Sequence, residues 1–134
     1  MIDVDADGDK SVVAWMDGTD MKVSSQIPGQ EVVSNTDSSC MFYTKSSLIS
    51  IDLSNLDTSK TTNLKAIFYN CSKLTDLDLA PLITDNVSNM SYMFRGCSEI
   101  INLDLSSINT KKVTDMSWMF SSCEKLANIN VSTL

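Results

Sequence analysis

The sequence contains no histidine among its 134 residues. Histidine is the usual general base near neutral pH, the partner of serine and cysteine nucleophiles, and a common zinc ligand. Its absence therefore excludes histidine-dependent catalytic triads, cysteine–histidine catalysis and histidine-ligated zinc. No two of the four cysteines stand in C-x-x-C spacing, so a zinc site built from cysteine alone is disfavoured as well.

Long apolar runs and positive charge are also scarce. No run of 18 or more apolar residues occurs, so the sequence predicts no membrane insertion. Ten Lys and Arg stand against 17 Asp and Glu, a net charge of −7. An acidic surface repels phosphate groups, so nucleic acid is not expected as a partner. The first residues are acidic and do not resemble a signal peptide, so an exported protein is expected to have a targeting segment removed or outside this sequence.

What the sequence does contain is an internal repeat. The phenylalanine pairs 42/68, 68/94 and 94/120 are each 26 residues apart, and three cysteines and three aspartates keep the same step. Within each unit an L-x-x-L-x-L stretch, such as Leu74 to Leu79, ends in the alternation of a short strand. A period of 26 residues and this strand pattern are typical of leucine-rich repeats.

Downstream of each strand, apolar residues recur at i, i+3, i+4 and i+7, as in Met90, Met93, Phe94 and Cys97. This spacing predicts one face of a helix. Each unit is therefore interpreted as strand, loop and helix, and neighbouring units are expected to stack so that each covers the next. The predicted fold class is an α/β leucine-rich-repeat solenoid with parallel strands.

The two ends of the sequence differ from the repeat. Asp17-Gly18 between alternating runs predicts a β-hairpin, and residues 1–39 are interpreted as an N-terminal β cap. Residues 40–134 then form the solenoid, with about three and a half repeats. The sequence stops just after a strand, so we expect either a longer parent array or self-association through an uncapped C-terminal coil.

Residues 103–123, which read LDLSSINTKKVTDMSWMFSSC, resemble the BspA-like leucine-rich repeats of bacterial surface proteins. The resemblance covers roughly residues 40–134, and the earliest copy departs from it at Thr61 and Ile67. It implies a secreted, wall-associated bacterial protein that acts in adhesion. The partner it implies is a host or matrix protein or a neighbouring cell.

The outward side of the predicted strands is the first candidate site. It carries acidic and amide side chains that would align in rows about 5 Å apart, namely Asp52, Asp76, Asp78, Asn102, Asp104, Asn128 and Asn130. Two interpretations remain open. These side chains either form a polar binding surface, which leucine-rich repeats commonly use, or bond to loop amides and serve the fold.

The second candidate site is an acidic stretch at the N-terminus. Asp3, Asp5, Asp7 and Asp9 alternate with other residues, and Gly8 takes the sixth place, as in the first half of a calcium-binding loop. The second half lacks the expected glutamate at the twelfth place, where Ala14 stands. Calcium is thus one possible ligand, a solvated acidic terminus is the alternative, and no other cofactor is predicted.

The cysteines and aromatic residues have structural explanations. Cys71, Cys97 and Cys123 are expected to form a buried ladder of free thiols, while Cys40 is out of register and expected to be accessible. Tyr92 and Trp118 share one position of the repeat and are expected to pack over the groove between coils. The sequence thus predicts that the protein is not an enzyme. It predicts a cell-surface module that binds protein or cell-surface glycan, and the alternative is a structural spacer within a larger surface protein.

Overall fold

The computed structural model describes residues 2–3, 12–25 and 32–132. These ranges hold nine short strands: β1 (Ile2–Asp3), β2 (Val12–Asp17), β3 (Asp20–Ser25), β4 (Val32–Val33), β5 (Ser50–Asp52), β6 (Leu56–Asp57), β7 (Asp76–Leu77), β8 (Asn102–Asp104) and β9 (Asn128–Asn130). They form one five-stranded sheet in the order β1-β2-β3-β5-β7 and two two-stranded sheets, β4-β6 and β8-β9.

A β-hairpin lies where the Asp-Gly pair predicts one. Strands β2 and β3 pair antiparallel, and the two-residue loop between them is Gly18-Thr19. Gly18 has a φ of +68°, which a type II′ hairpin turn requires at its first central position. Strand β3 then pairs in parallel with β5, so the hairpin continues the strand ladder of the repeat. Val32 also pairs in parallel, with Leu56, and the domain boundary at residues 39/40 stays a prediction.

The repeat register is confirmed by the parallel pairing of successive coils. Ser50 lies opposite Asp76 and Asn102 lies opposite Asn128, each pair being 26 residues apart. On another side of the coil, three parallel bridges connect Asp37 to Asn63, Asn63 to Asn89 and Asn89 to Asp115. The chain is therefore a repeat fold in which each 26-residue unit makes one coil.

The predicted helices are wrong. Residues 64–71, 90–97 and 116–123 form successive tight turns, and no residue that the structure describes lies in a helix. Alternate amides bond to the next coil, as Phe68 N–H does to the Met93 carbonyl at 3.0 Å. The amides between them close turns within their own coil, as Tyr69 N–H does to the Ala66 carbonyl at 3.1 Å. These segments thus divide their hydrogen bonds between neighbouring coils and local turns, whereas a helix bonds only within itself.

Backbone conformation gives the physical reason. Two rows of residues have a positive φ, four positions apart in every coil: Cys40, Ala66, Tyr92 and Trp118 in one row, and Thr44, Asn70, Gly96 and Ser122 in the other. A left-handed residue interrupts a right-handed helix. Five of these residues, Ala66, Asn70, Tyr92, Gly96 and Ser122, occupy the third position of a hydrogen-bonded turn, where type II geometry requires a positive φ. These turns still direct positions i, i+3, i+4 and i+7 inward, so the burial implied by the sequence pattern is confirmed for Met90, Met93, Phe94 and Cys97.

One continuous core runs along the stack. Phe42, Phe68, Phe94 and Phe120 stack in a row, with ring centroids 5.7, 5.7 and 5.9 Å apart. Leucine and isoleucine side chains from the strands pack against them. Within the described residues, no helix is long and apolar enough to cross a membrane.

Candidate functional site

The predicted strand-face residues are exposed on one side of the coils. The register brings Asn102 beside Asn128 and Asp104 beside Asn130. The Asn128 side-chain amide donates to the Asn102 side-chain oxygen at 2.8 Å. Strand β7 pairs with β5 and strand β8 pairs with β9, but β7 and β8 belong to different sheets. The ladder of strands that carries these residues is therefore interrupted between β7 and β8. We call the polar surface formed by these seven exposed residues the strand face: Asp52, Asp76, Asp78, Asn102, Asp104, Asn128 and Asn130.

One member of the strand face in each coil also caps a turn. The side-chain oxygens of Asp52, Asp78, Asp104 and Asn130 accept hydrogen bonds from the backbone N–H two residues ahead, at 3.0, 2.9, 2.9 and 3.2 Å. Hydrogen bonds from Ser54 lower the pKa of Asp52, and hydrogen bonds from Ser106 lower the pKa of Asp104. The expected structural role is thus present, while the binding role stays a prediction.

The predicted calcium site lies almost wholly outside the described residues, which include Asp3 but not Asp5, Asp7 or Asp9. Asp3 is in β1, opposite Val13 of β2. In the described part of the chain, no three His, Cys, Asp or Glu residues are grouped so that they could hold a metal ion.

Three cysteines form the expected ladder. The thiols of Cys71, Cys97 and Cys123 each donate to the carbonyl of a phenylalanine in the preceding coil, at 3.1 Å. Burial raises the pKa of Cys71 to about 11 and also raises the pKa of Cys97 and Cys123. All four cysteines are free, and Cys40 is exposed as predicted. A protonated, buried thiol is a packing group, so the ladder belongs to the core.

An aromatic and cationic surface that the sequence reasoning missed lies on the turns. We call it the turn-face strip, and its members are Tyr43, Lys65, Tyr69, Tyr92, Arg95 and Trp118. The prediction that Trp118 packs over the groove between coils is wrong, since its side chain is 62% exposed. Trp118 has a left-handed backbone, with φ of 58°, in the row of positive φ that also contains Ala66 and Tyr92.

Arg95 holds the strip together. Its guanidinium lies 5.7 Å from the Tyr69 ring centroid, 5.5 Å from that of Tyr92 and 5.7 Å from that of Trp118. All three distances fall within the range of cation–π attraction. Tyr43 stacks on Tyr69 with centroids 4.7 Å apart, so the rings continue into the preceding coil.

The strip could have been found from the repeat register. Tyr43, Tyr69 and Arg95 occupy the same position in three successive units, directly after the inward phenylalanine. Tyr92 and Trp118 share another position, between inward residues. Their outward direction depends on the turn conformation, which the incorrect helix prediction concealed.

Comparison with known proteins gives one family and one structural likeness. No curated protein matches the chain. The chain is similar to the crystal structure of a leucine-rich-repeat protein of T. pallidum, with 15% sequence identity, a TM-score of 0.40, and coverage of 91% of this chain and 80% of that chain. The family model described as "Mycoplasma protein of unknown function, DUF285" matches residues 15–133. Since the match spans nearly the whole sequence, the chain belongs to the DUF285 family of Mycoplasma proteins.

Proposed function

We propose that the protein is a non-catalytic interaction module of the extracellular cell surface. Its partner is a host or matrix protein, or a cell-surface glycan, and the strand face binds it. The observation that carries the proposal is the fixed arrangement of exposed polar groups on that face. Backbone hydrogen bonds hold the side chains of Asp52, Asp78 and Asp104 in place, so binding requires little further ordering of them.

The repeat sequence supports the proposed cellular location. Residues 103–123 resemble BspA-like repeats, which implies a secreted bacterial adhesin. A stack of coils also suits this role physically, because it presents the same polar groups many times along one extended surface. Several weak contacts to a repetitive partner then add up to firm attachment.

Substitution of aspartate by asparagine separates binding from folding. Asn130 already makes the turn-capping hydrogen bond that the aspartates make, and Asn63 and Asn89 make it on another side of the coil. The triple variant Asp52→Asn, Asp78→Asn, Asp104→Asn should therefore keep its fold while it loses three charges. The matched control is Asp37→Asn, which makes the same exchange at a turn cap outside the strand face.

The measurement is binding to immobilised fibronectin, laminin and collagen and to a glycan array. We expect the wild-type protein to bind at least one of these probes and the triple variant to bind it at least tenfold more weakly. The melting temperatures of the two proteins should agree within a few degrees. Unchanged binding by the triple variant would show that the strand face is not the binding surface.

The second candidate function is a structural spacer within a larger surface protein. It is favoured by the turn-capping role of the aspartates, which gives them a reason to recur that involves no ligand. A spacer binds none of the probes, and its contribution is length alone. Absence of binding to every matrix protein and glycan would favour this function over adhesion.

A further inference from the structure

We infer that the turn-face strip is a second interaction surface, and that its ligand is a protein segment that places an Asp or Glu carboxylate against Arg95. The strip and the strand face lie on different segments of the coil, and side chains from both segments pack inward into one core. The inference therefore does not depend on the strand face being a binding site.

The Arg95 side chain is in contact with aromatic rings but has no polar partner among the described residues. Arg95 is the sole arginine of the sequence, and its guanidinium is held over three rings. Among the described residues its side chain has neither a hydrogen bond nor an ion pair. The five N–H donors of a guanidinium form a planar fork that matches a carboxylate with two parallel hydrogen bonds. Here contacts with three rings restrict the position of the guanidinium, while its donors have no partner among the described residues.

The aromatic side chains at the two ends of the strip are exposed. Trp118 is the most exposed of the large hydrophobic residues in the described chain, at 62%, and Tyr43 is 42% exposed. Tyrosine, tryptophan and arginine are the residue types that contribute most to binding at protein interfaces. Lys65 lies 5.8 Å from the Tyr92 ring and interacts electrostatically with the Asp115 carboxylate, so Arg95 is the cation of this strip that has no acidic partner among the described residues. A partner segment with acidic and apolar side chains complements it.

A protein segment fits the strip better than an acidic polysaccharide does. A sugar ring binds by stacking on an aromatic face, but Arg95 already lies over one face of each of the Tyr69, Tyr92 and Trp118 rings, so a sugar could stack only on the remaining exposed part of the strip. A carboxylate needs only the guanidinium N–H donors, and those of Arg95 have no hydrogen-bond or ion-pair partner among the described residues. Apolar side chains of the segment can then cover the rest of the exposed Trp118 ring.

The repeat supplies variants that the fold tolerates. Ser121 occupies the position equivalent to Arg95, and Ala66 occupies the position equivalent to Trp118, with the same left-handed backbone. Arg95→Ser and Trp118→Ala therefore place a residue that this backbone already accommodates. Arg95→Lys keeps the charge but removes the planar fork, and Lys111→Ser is the control for loss of an exposed positive charge elsewhere.

The probe is a library of random twelve-residue peptides displayed on phage, selected on the full chain. We expect enrichment of peptides that carry Asp or Glu next to proline or an aromatic residue. As synthetic peptides they should bind the Arg95→Ser, Arg95→Lys and Trp118→Ala variants at least tenfold more weakly than the wild type. The Lys111→Ser variant should bind like the wild type, and binding should weaken as salt rises.

Three results would overturn the inference. The first is that no peptide is enriched, or that the enriched peptides bind Arg95→Ser as tightly as the wild type. The second is that polygalacturonate, a carboxylate polysaccharide, binds in an Arg95-dependent manner and competes fully with the peptides. The third is concentration-dependent self-association that Arg95→Ser abolishes, because it would assign the strip to contact between copies of the chain. The triple strand-face variant should bind the peptides normally, which separates this inference from the proposed function.

Discussion

Thr44 is a β-branched residue in a left-handed conformation, with φ of 56°. Such a backbone costs an L-residue about 1–2 kcal/mol, and β-branched residues adopt it least readily. The side chain is exposed, so its removal loses little packing. We expect Thr44→Gly to raise the free energy of unfolding by about 0.5–1 kcal/mol, after the greater chain entropy of glycine in the unfolded state is included. Urea denaturation measures the change.

The control for Thr44→Gly is Ser47→Gly. Ser47 is exposed three residues further on, and its φ is not positive. Glycine there gains no relief of strain and should lower stability by about 0.5–1 kcal/mol. Equal effects of the two substitutions would show that the left-handed conformation of Thr44 carries no strain in solution.

The buried thiols predict a loss of stability in alkali. The pKa of Cys71 is raised from 9.0 to about 11, because burial disfavours the thiolate. The folded state therefore retains a proton that the unfolded state releases above pH 9. The stabilising contribution of this group is complete below pH 9 and is lost as the pH rises through 11. We expect the stability advantage of the wild type over Cys71→Ala to shrink by about 1–3 kcal/mol between pH 8 and 11.

The comparison with Cys71→Ala cancels the titration of lysine and tyrosine, which both proteins share. Cys40→Ala is the matched control, because Cys40 is exposed and its removal should leave the pH profile of the wild type unchanged. A stability difference between wild type and Cys71→Ala that is constant from pH 8 to 11 would contradict the predicted linkage.

At the strand face, sequence reasoning predicts that certain aspartates share a role but does not decide what that role is. The recurrence of Asp52, Asp78 and Asp104 predicts a shared role, and two roles were open: binding or support of the loops. The structure reveals the supporting role because it gives the partner of each carboxylate, the backbone N–H two residues ahead. That partner is local in sequence, but it is recognisable only when the direction of the following turn is known.

At the scale of secondary structure, periodicity predicted which residues are buried but not how the backbone buries them. Met90, Met93, Phe94 and Cys97 are all buried, as a helical face would be. Two successive turns produce the same inward spacing. The turns differ from a helix by the positive φ of Tyr92 and Gly96. Of these two residue types, only glycine indicates a positive φ in a sequence. The sequence therefore carried one weak sign of the turns against a strong helical period.

The phenylalanine row predicts that position along the stack determines the cost of truncation. Phe94 stacks on Phe68 and Phe120 and is 1% exposed, whereas Phe120 is half-buried and stacks on Phe94. Phe94→Ala should lower the free energy of unfolding by about 3–5 kcal/mol, the usual cost for a fully buried ring. Phe120→Ala should cost about half as much or less, because part of the ring already contacts water.

Chemical denaturation of both phenylalanine variants tests this gradient. Val113→Ala serves as the control for loss of a partly buried side chain outside the aromatic row. Equal costs at Phe94 and Phe120 would mean that a covering layer protects Phe120 in solution.

At the scale of the whole molecule, the stack is a set of nearly equivalent coils. Parallel bridges connect each coil to the next, and the buried phenylalanines continue through all of them. The stability of such an array is approximately the sum of its repeats and the interfaces between them. The 26-residue period was predicted from the sequence for the same reason: every coil must repeat the same inward contacts. The polar outer surfaces vary from coil to coil, so the period alone could not identify the turn-face strip.

Deletion of one complete period should therefore leave a folded protein. Removal of residues 80–105 joins Leu79 to Ser106, which is the residue that follows the equivalent Leu105 in the next unit. Every remaining coil keeps its register, and the loss is one repeat with one interface. We expect cooperative thermal unfolding, measured by circular dichroism, at a lower melting temperature than that of the wild type.

Removal of residues 80–92, half a period, joins Leu79 to Met93 and connects a strand to the middle of a turn segment. This variant should not fold, because its inward positions no longer align with those of the neighbouring coils. If the two deletion variants were equally stable, the coil register would not be what holds the molecule together.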